Sequence, residues 1–308
     1  LLYRPFINLE LPKSCCGFSC SAYVTSFLGV LLTNYMFNNI LLNERNDLEM
    51  QNNKEKVALV TGSGKGIGRG IAIELAKAGY NVGVHYGSSL DGAREVAKQI
   101  EDMGRKAVIV KANIQKVDEI RSMFDAFFKE FDHIDLLVNN AGITRMVPFL
   151  EVEEDLWEEV VNTDFKGAFF CSQMAARNMV ENKIKGVIIN ITSNHTIGCW
   201  PNATIYGPVK AALTKFTKNL ALDLAPHQIR VVAIAPGYTE LEWFTDRHNR
   251  YIKEVSKKIP LQRFANPKEI GEAVVYLASE KAGYITGTSL LMDGGALLPV
   301  VPHNDYSG

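Results

Sequence analysis

Tyr206 and Lys210 stand four residues apart in Ile-Tyr-Gly-Pro-Val-Lys, and Ser193 precedes Tyr206 by thirteen residues. Upstream, Thr61-Gly62-Ser63-Gly64-Lys65-Gly66-Ile67-Gly68 closes a Val-Ala-Leu-Val run and opens an amphipathic one. A hydroxyl, a phenol and an ammonium can together manage a proton at a substrate oxygen. An unperturbed phenol titrates at about pH 10. A cation one helical turn along the same face favours its ionised form, and Lys210 is spaced to be that cation. A glycine-rich turn before a helix offers free N–H groups and the positive end of the helix dipole to a phosphate. Gly62, Gly66 and Gly68 let the backbone approach closely. A phosphate turn followed by Ser, Tyr and Lys points to hydride transfer between a nicotinamide dinucleotide and a carbonyl or alcohol. The plainer readings are a simple strand-to-helix turn, a strand-end serine and an accidental Tyr/Lys helix pair.

These residues need a scaffold, and the apolar periodicity supplies one. Strands are expected at 56–61, 81–86, 107–111, 134–138, 186–192, 230–235 and 289–292. Helices are expected at 67–78, 91–103, 117–131, roughly 153–180, 204–225 and 267–279, with a looser segment over 237–260. Gly79 and Gly104 follow two of the helices, where a left-handed C′ residue is favoured. Pro208 must lie near the first turn of its helix, because it lacks a backbone donor. Alternating β and α elements imply a parallel sheet with right-handed crossovers. The expected fold is a single doubly wound Rossmann-type α/β domain of about seven strands over 50–308.

Composition narrows the function classes. The chain of 308 residues is 47% hydrophobic and 22% charged, with a formal net charge of -1. That balance gives no electrostatic grip on nucleic acid. Cys15, Cys16 and Cys20 have no matching second half for a metal site, and Cys171 and Cys199 stand apart, so reduced thiols in a cytoplasmic protein are expected and no metal is assigned. Residues 1–49 differ in kind. Between Ser14 and Asn43 no residue is charged, and 23–42 has the length of a spanning segment but carries Asn34, Asn38 and Asn39. Residues 1–49 are expected to be an upstream extension, with Met50 opening the enzyme. A weak membrane anchor or secretory leader is the alternative.

Further motifs fall in order along 50–308. Asn139-Asn140-Ala141-Gly142 follows the fourth strand, and Pro236-Gly237 the sixth. With the Thr-Gly-x3-Gly-x-Gly turn, Ser193 and Tyr206-x3-Lys210, the chain resembles the classical short-chain dehydrogenase/reductase family. In pattern it is nearest to bacterial glucose 1-dehydrogenase and 3-oxoacyl-acyl-carrier-protein reductase members. The resemblance implies that Tyr206 is the acid, Ser193 binds the substrate oxygen, and Lys210 also holds the nicotinamide ribose. Asn162, in Val-Val-Asn-Thr-Asp-Phe-Lys-Gly, would anchor a water leading to Lys210; a satisfied helix amide is the alternative. The implied cofactor contacts are Gly62, Ser63, Lys65, Gly66, Ile67 and Gly68 in the turn, Tyr86 and Ser88 after the second strand, and Asn113 and Ile114 after the third. Asn140, Ala141, Gly142, Tyr206, Lys210, Pro236, Gly237 and Thr239 complete that set. Leu241 occupies a place where the family often has a threonine for the nicotinamide carboxamide.

No carboxylate ends the second strand to repel a 2′-phosphate, and Lys65 lies in the glycine turn, so NADP is preferred to NAD. A solvated surface lysine is the alternative for Lys65. His195 and Trp200-Pro201 match the glucose 1-dehydrogenase pattern and are assigned, with Ser193 and Tyr206, to substrate. Thr196 replaces that branch's acid, and His195 or Trp200 as packing residues are the alternatives. The expected activity is therefore carbonyl/alcohol hydride transfer, with a sugar as candidate substrate. 3-Oxoacyl-acyl-carrier-protein reduction is the competing activity, with Lys183, Lys185, Lys215 and Lys218 as docking lysines. A non-catalytic NADP-binding sensor or scaffold is the reading from another class. The family's use of the two long helices implies a homotetramer or homodimer.

Overall fold

The computed structural model describes residues 55–242, 244 and 246–298. The chain divides into two units, Leu1–Lys54 and Glu55–Gly308, and every described residue belongs to the second. The expected extension over 1–49, its membrane-like stretch and the Met50 start lie outside the described residues. Among the described residues no helix is long and apolar enough to cross a membrane.

Seven strands form one all-parallel sheet. They are β1 (Val57–Val60), β2 (Asn81–Tyr86), β3 (Ala107–Lys111), β4 (Leu136–Asn139), β5 (Val187–Ile191), β6 (Arg230–Pro236) and β7 (Ser289–Met292). Their order is β3-β2-β1-β4-β5-β6-β7. The chain reverses its direction of growth between β1 and β4, which opens a crevice beyond their carboxyl ends. The inner strands are mostly apolar runs because both of their faces are covered, whereas the edge strands β3 and β7 stay partly exposed. Ala58, Val60, Val82, Val84, Val138 and Ile189 point into one core layer. Val57, Leu59, Leu137, Ile188 and Val231 point into the other. The first layer is closed by α1 (Gly66–Lys77), α2 (Leu90–Asp102) and α8 (Pro267–Ala278). The second rests mainly on α3 (Val117–Glu130) and α5 (Gly167–Glu181), with Phe124, Phe127 and Met179 fully buried. Burying one such side chain contributes roughly 1.5–3 kcal/mol.

Two expectations are corrected. The long helix expected over 153–180 is two helices, α4 (Glu154–Val161) and α5, joined by a π turn over Asn162–Lys166. Thr163 Oγ1 donates to the Glu159 carbonyl at 2.7 Å, a back-bond that loosens the ladder at that point. The extra residue in the π turn re-aims the helix beyond it. The looser segment expected over 237–260 contains α7 (Asp246–Ser256), an amphipathic helix whose apolar residues are few. Between α5 and the end of the sheet lies α6 (Tyr206–Leu224), which starts at Tyr206, so Pro208 falls in its first turn where no intrahelical N–H partner is needed.

Candidate active site

The crevice is lined by the segments that leave β1, β4, β5 and β6. The glycine turn after β1 is braced from both sides. From β4, the Asn140 side chain donates to the carbonyls of Thr61 and Gly62 at 2.9 and 3.1 Å. The N–H groups of Asn140 and Ala141 reach Thr61 Oγ1 at 2.9 and 3.0 Å. From β2, His85 Nδ1 accepts from the Gly62 N–H at 2.9 Å, and its Nε2 lies 3.1 Å from the Ala112 carbonyl. The first contact needs a lone pair on Nδ1, which places the ring proton on Nε2. Burial pulls the His85 pKa below the ordinary histidine value, which keeps that arrangement neutral.

The turn has no room for a side chain at its centre. Gly62 is left-handed, at φ +65°, and a Cβ on Gly68 would lie 2.4 Å from the Gly62 carbonyl oxygen and 2.5 Å from Asn140 Nδ2. Such a cradle, leading into the N-terminus of α1, fits a dinucleotide pyrophosphate. The Gly66 N–H donates to Glu242 Oε1 at 2.7 Å, so a carboxylate from beyond β6 sits on one of the donors a phosphate would use. Lys65 is the exposed N-cap residue of α1. The structure does not present Ser63 as a cofactor contact. It is fully buried, and its N–H bonds the His85 carbonyl at 2.9 Å, so it supports the turn from behind. Tyr86 is half-buried and Ser88 exposed at the end of β2. Asn113 is exposed, with Oδ1 accepting from the Gln115 N–H at 3.1 Å, whereas Ile114 is buried against Gly167 of α5. Pro236 ends β6, the Gly237 N–H pairs with the Met292 carbonyl, and Thr239 Oγ1 turns back to the Gly237 carbonyl at 3.3 Å.

The reactive side chains converge at the end of β5. Ser193 follows that strand, and Tyr206 and Lys210 occupy the first two turns of α6. Lys210 Nζ lies 5.7 Å from the centre of the Tyr206 ring and donates to the Ile191 carbonyl at 3.2 Å. Its counter-ion is Asp164, whose Oδ2 stands 3.0 Å from Nζ. Asp164 Oδ1 accepts from the Ile143 N–H at 2.8 Å, just past Asn140-Ala141-Gly142. Both side chains are buried, with exposures of 5% for Lys210 and 0% for Asp164. Burial works to strip the Lys210 proton, but the charge and hydrogen bond of the Asp164 carboxylate, with the charge of Tyr206 when ionised, outweigh it, and the pKa is held above the ordinary lysine value. The lysine is therefore a fixed cation.

The side chain in direct contact with Lys210 is that of Asp164. Asn162 opens the π turn, and the turn carries Asp164, two residues later, to the lysine. Asp164 is one of several acids between Glu153 and Lys166, so the sequence held no distinct signal for it. Glu242 and the bracing role of His85 carried no signal either.

The wall beyond Ser193 is aromatic. The His195 ring stacks on Trp200 at 4.0 Å and meets the Tyr206 ring edge-on at 5.2 Å. Trp200 Nε1 donates to the Tyr238 hydroxyl at 3.1 Å. Among the described residues no group of three or more His, Cys, Asp or Glu is placed to hold a metal.

Known proteins resemble this chain in sequence and fold. A sequence profile for the family described as Enoyl-(Acyl carrier protein) reductase matches residues 62–296. The uncharacterized oxidoreductase YohF of Escherichia coli is 40% identical over 79% of this chain and 96% of its own length. The 3-oxoacyl-acyl-carrier-protein reductase FabG of Staphylococcus epidermidis is 38% identical over 78% of this chain and 98% of its own. Among solved structures, acetoin dehydrogenase from Enterobacter cloacae superposes with a TM-score of 0.75 at 37% identity, covering 82% of this chain and 98% of that one. With its sheet order, glycine cradle and Ser-Tyr-Lys convergence, the chain belongs to the short-chain dehydrogenase/reductase family and is a nicotinamide-dependent oxidoreductase acting on carbonyl or alcohol groups.

Proposed function

We propose that Ser193, Tyr206 and Lys210 are the catalytic set, serving a small ketone and its secondary alcohol. The observation that carries this reading is the buried ammonium of Lys210, fixed beside the Tyr206 ring and close to Gly142. The Ser193 hydroxyl donates to the substrate oxygen and holds it against developing charge. The Tyr206 hydroxyl gives that oxygen its proton in reduction and takes it back in oxidation. Lys210 keeps a positive charge next to the phenol throughout. When bound, the dinucleotide supplies or accepts the hydride. Gly62, Gly66, Ile67 and Gly68 hold its phosphates, with Asn140, Ala141, Gly142, Pro236 and Gly237 lining the rest of its course.

NADP is the preferred dinucleotide. His85 to Ser89 at the end of β2 contain no carboxylate, and Lys65 stands at the start of α1. The aromatic wall of His195, Trp200 and Tyr238 suits a compact, weakly polar substrate better than a sugar, and Thr196 offers no carboxylate to sugar hydroxyls. Acetoin and its diketone are the leading candidates, in line with the named activity of the Enterobacter neighbour. The likeness to FabG keeps a 3-oxoacyl thioester as the second reading. An apolar groove between α5 and α6, lined by Phe169, Ala176, Val180, Phe216 and Leu220, supports assembly into a homodimer or homotetramer.

The test is a panel of diacetyl, acetoin, an acetoacetyl thioester and glucose, each with NADP(H) and NAD(H) and followed by nicotinamide absorbance. Diacetyl reduction with NADPH is expected, and Tyr206→Phe should lower kcat at least a thousandfold while leaving NADPH affinity within twofold. Thioester reduction alone would shift the assignment to the second reading. Full activity in the Tyr206→Phe protein would remove the proposed acid.

A further inference from the structure

Ser193, Asn194 and His195 form a hydrogen-bonded group beside Tyr206, in which the buried Asn194 Nδ2 has no partner among the described residues. Ser193 Oγ accepts from the His195 backbone N–H at 3.3 Å. His195 Nδ1 lies 3.1 Å from Ser193 Oγ and 3.2 Å from Asn194 Oδ1. The Ser193 hydroxyl is 3.4 Å from Asn194 Oδ1. His195 Nε2 is sealed from solvent and has no hydrogen-bond partner among the described residues. Trp200 covers one face of the ring.

The ring carries one proton, because burial lowers its pKa from the ordinary histidine value. On Nε2 that proton would be a buried donor with no acceptor, which costs about 1–3 kcal/mol. On Nδ1 it has two oxygens in reach. A bare acceptor is also the more tolerable orphan of the two. Nδ1 is therefore the N–H.

The consequence falls on Ser193. A hydroxyl has one proton and two lone pairs. With His195 N–H and Nδ1–H directed at its oxygen, Ser193 has only its proton left to offer. The nearest protein acceptor, Asn194 Oδ1 at 3.4 Å, is beyond the usual range of about 2.5–3.0 Å for O–H···O bonds. We propose that His195 is a positioning residue, whose Nδ1–H turns the Ser193 proton toward the substrate oxygen. The opposite tautomer would make Nδ1 an acceptor, draw the serine proton to itself and present a lone pair to an oxygen that becomes negatively charged in reduction. This assignment rests on the reading of Ser193 as the ligand of that oxygen. It also changes the role expected for His195 from the sequence. With Nδ1 engaged and Nε2 sealed, the ring nitrogens act through the serine, and toward the substrate the ring offers only its apolar edge.

Two measurements on the full chain test this. The first needs no turnover. Histidine labelled with nitrogen-15 is read by long-range proton–nitrogen correlation at neutral pH, with the His195 signals identified by their loss in His195→Phe. A protonated Nδ1 with a bare Nε2 is expected; a protonated Nε2, or an imidazolium, overturns the proposal. The second uses the fastest carbonyl substrate of the panel. His195→Phe keeps a ring against Trp200 but loses the donor, and kcat should fall about tenfold with KM for both substrates within twofold. His195→Asn loses the ring but carries an amide donor near the Nδ1 position, and should recover most of kcat. A purely structural role for the ring would reverse that ranking, and either the reversal or an unaltered kcat in His195→Phe overturns the proposal. Ser193→Ala, run in parallel, separates the two layers: full activity there refutes the reading of Ser193 itself, whatever the His195 tautomer.

Discussion

Replacing Asp164 with alanine is expected to destabilise the fold by about 3–5 kcal/mol, the usual consequence of leaving a buried charge without its partner. Asp164 and Lys210 have almost no exposure and face each other across 3.0 Å. At an effective dielectric of about 20 their attraction is roughly 5 kcal/mol, most of it set against the desolvation of both ions. In the intact protein the pair is close to balanced; without Asp164 only the desolvation of the lysine remains. Asp164→Ala also removes the acceptor of the Ile143 N–H, which adds about 1–3 kcal/mol if the space stays dry. Asp164→Asn keeps that acceptor and should fall between wild type and alanine. Lys210→Met alone leaves a buried carboxylate and should be as damaging as Asp164→Ala. The double variant Asp164→Ala/Lys210→Met leaves neither charge, so its cost should be well below the sum of the two single costs. The assay is urea unfolding followed by circular dichroism at one fixed protein concentration, since assembly would otherwise shift the midpoints. A loss below about 0.5 kcal/mol in Asp164→Ala, the range of ordinary surface changes, refutes the argument, as does strict additivity in the double variant.

Two other predictions concern the cradle. Glu242→Gln should tighten NADPH binding about fivefold, because the Gly66 N–H would exchange a charged acceptor for a neutral one worth about 1 kcal/mol less; an unchanged Kd in a fluorescence titration would show that Glu242 and the dinucleotide do not compete. His85 makes stability depend on pH. Its folded pKa is depressed, so below about pH 6.5 the unfolded chain takes up a proton that the folded chain refuses. Stability from this group is complete above that pH and is lost as the pH falls toward the folded pKa, with a slope of up to about 1.4 kcal/mol per pH unit. The difference between wild type and His85→Gln in unfolding free energy should therefore shrink from pH 7 to pH 5, and parallel curves would exclude His85 as its source.

How far these features could be read from the sequence depends on how local their causes are. β2, β3 and β7 have the bounds that their short β-branched and apolar runs indicate, although only β2 is buried along its length while the edge strands β3 and β7 are partly exposed. The glycine turn, the Asn-Asn-Ala-Gly segment, Ser193 and the Tyr206/Lys210 pair stand at strand ends and a helix start that the same runs locate. α7 was not legible, since its few apolar residues sit among charged and polar side chains. The contact between Gly66 and Glu242 joins positions 176 residues apart, and no local pattern encodes it.

Asp164 shows how an irregular turn redistributes the faces of a helix. Reading 153–180 as one regular helix assumes 3.6 residues per turn throughout, and on that assumption every side chain has a definite face. A π turn adds a residue within the run and rotates everything beyond it relative to everything before it. Here the turn spans Asn162–Lys166, across the positions in question. It turns the Asp164 carboxylate inward to Lys210 and the Ile143 N–H, while Asn162 stays at the start of the turn. The distinction is chemical as well as geometric. An amide beside Lys210 would relay a proton through water and leave the lysine charge unopposed, whereas a carboxylate neutralises it and holds it in place. The charge that accompanies Tyr206 is therefore that of an ion pair. Any account of proton movement in this protein has to begin from the pair, because neither ion can leave its place without stranding the other in the core.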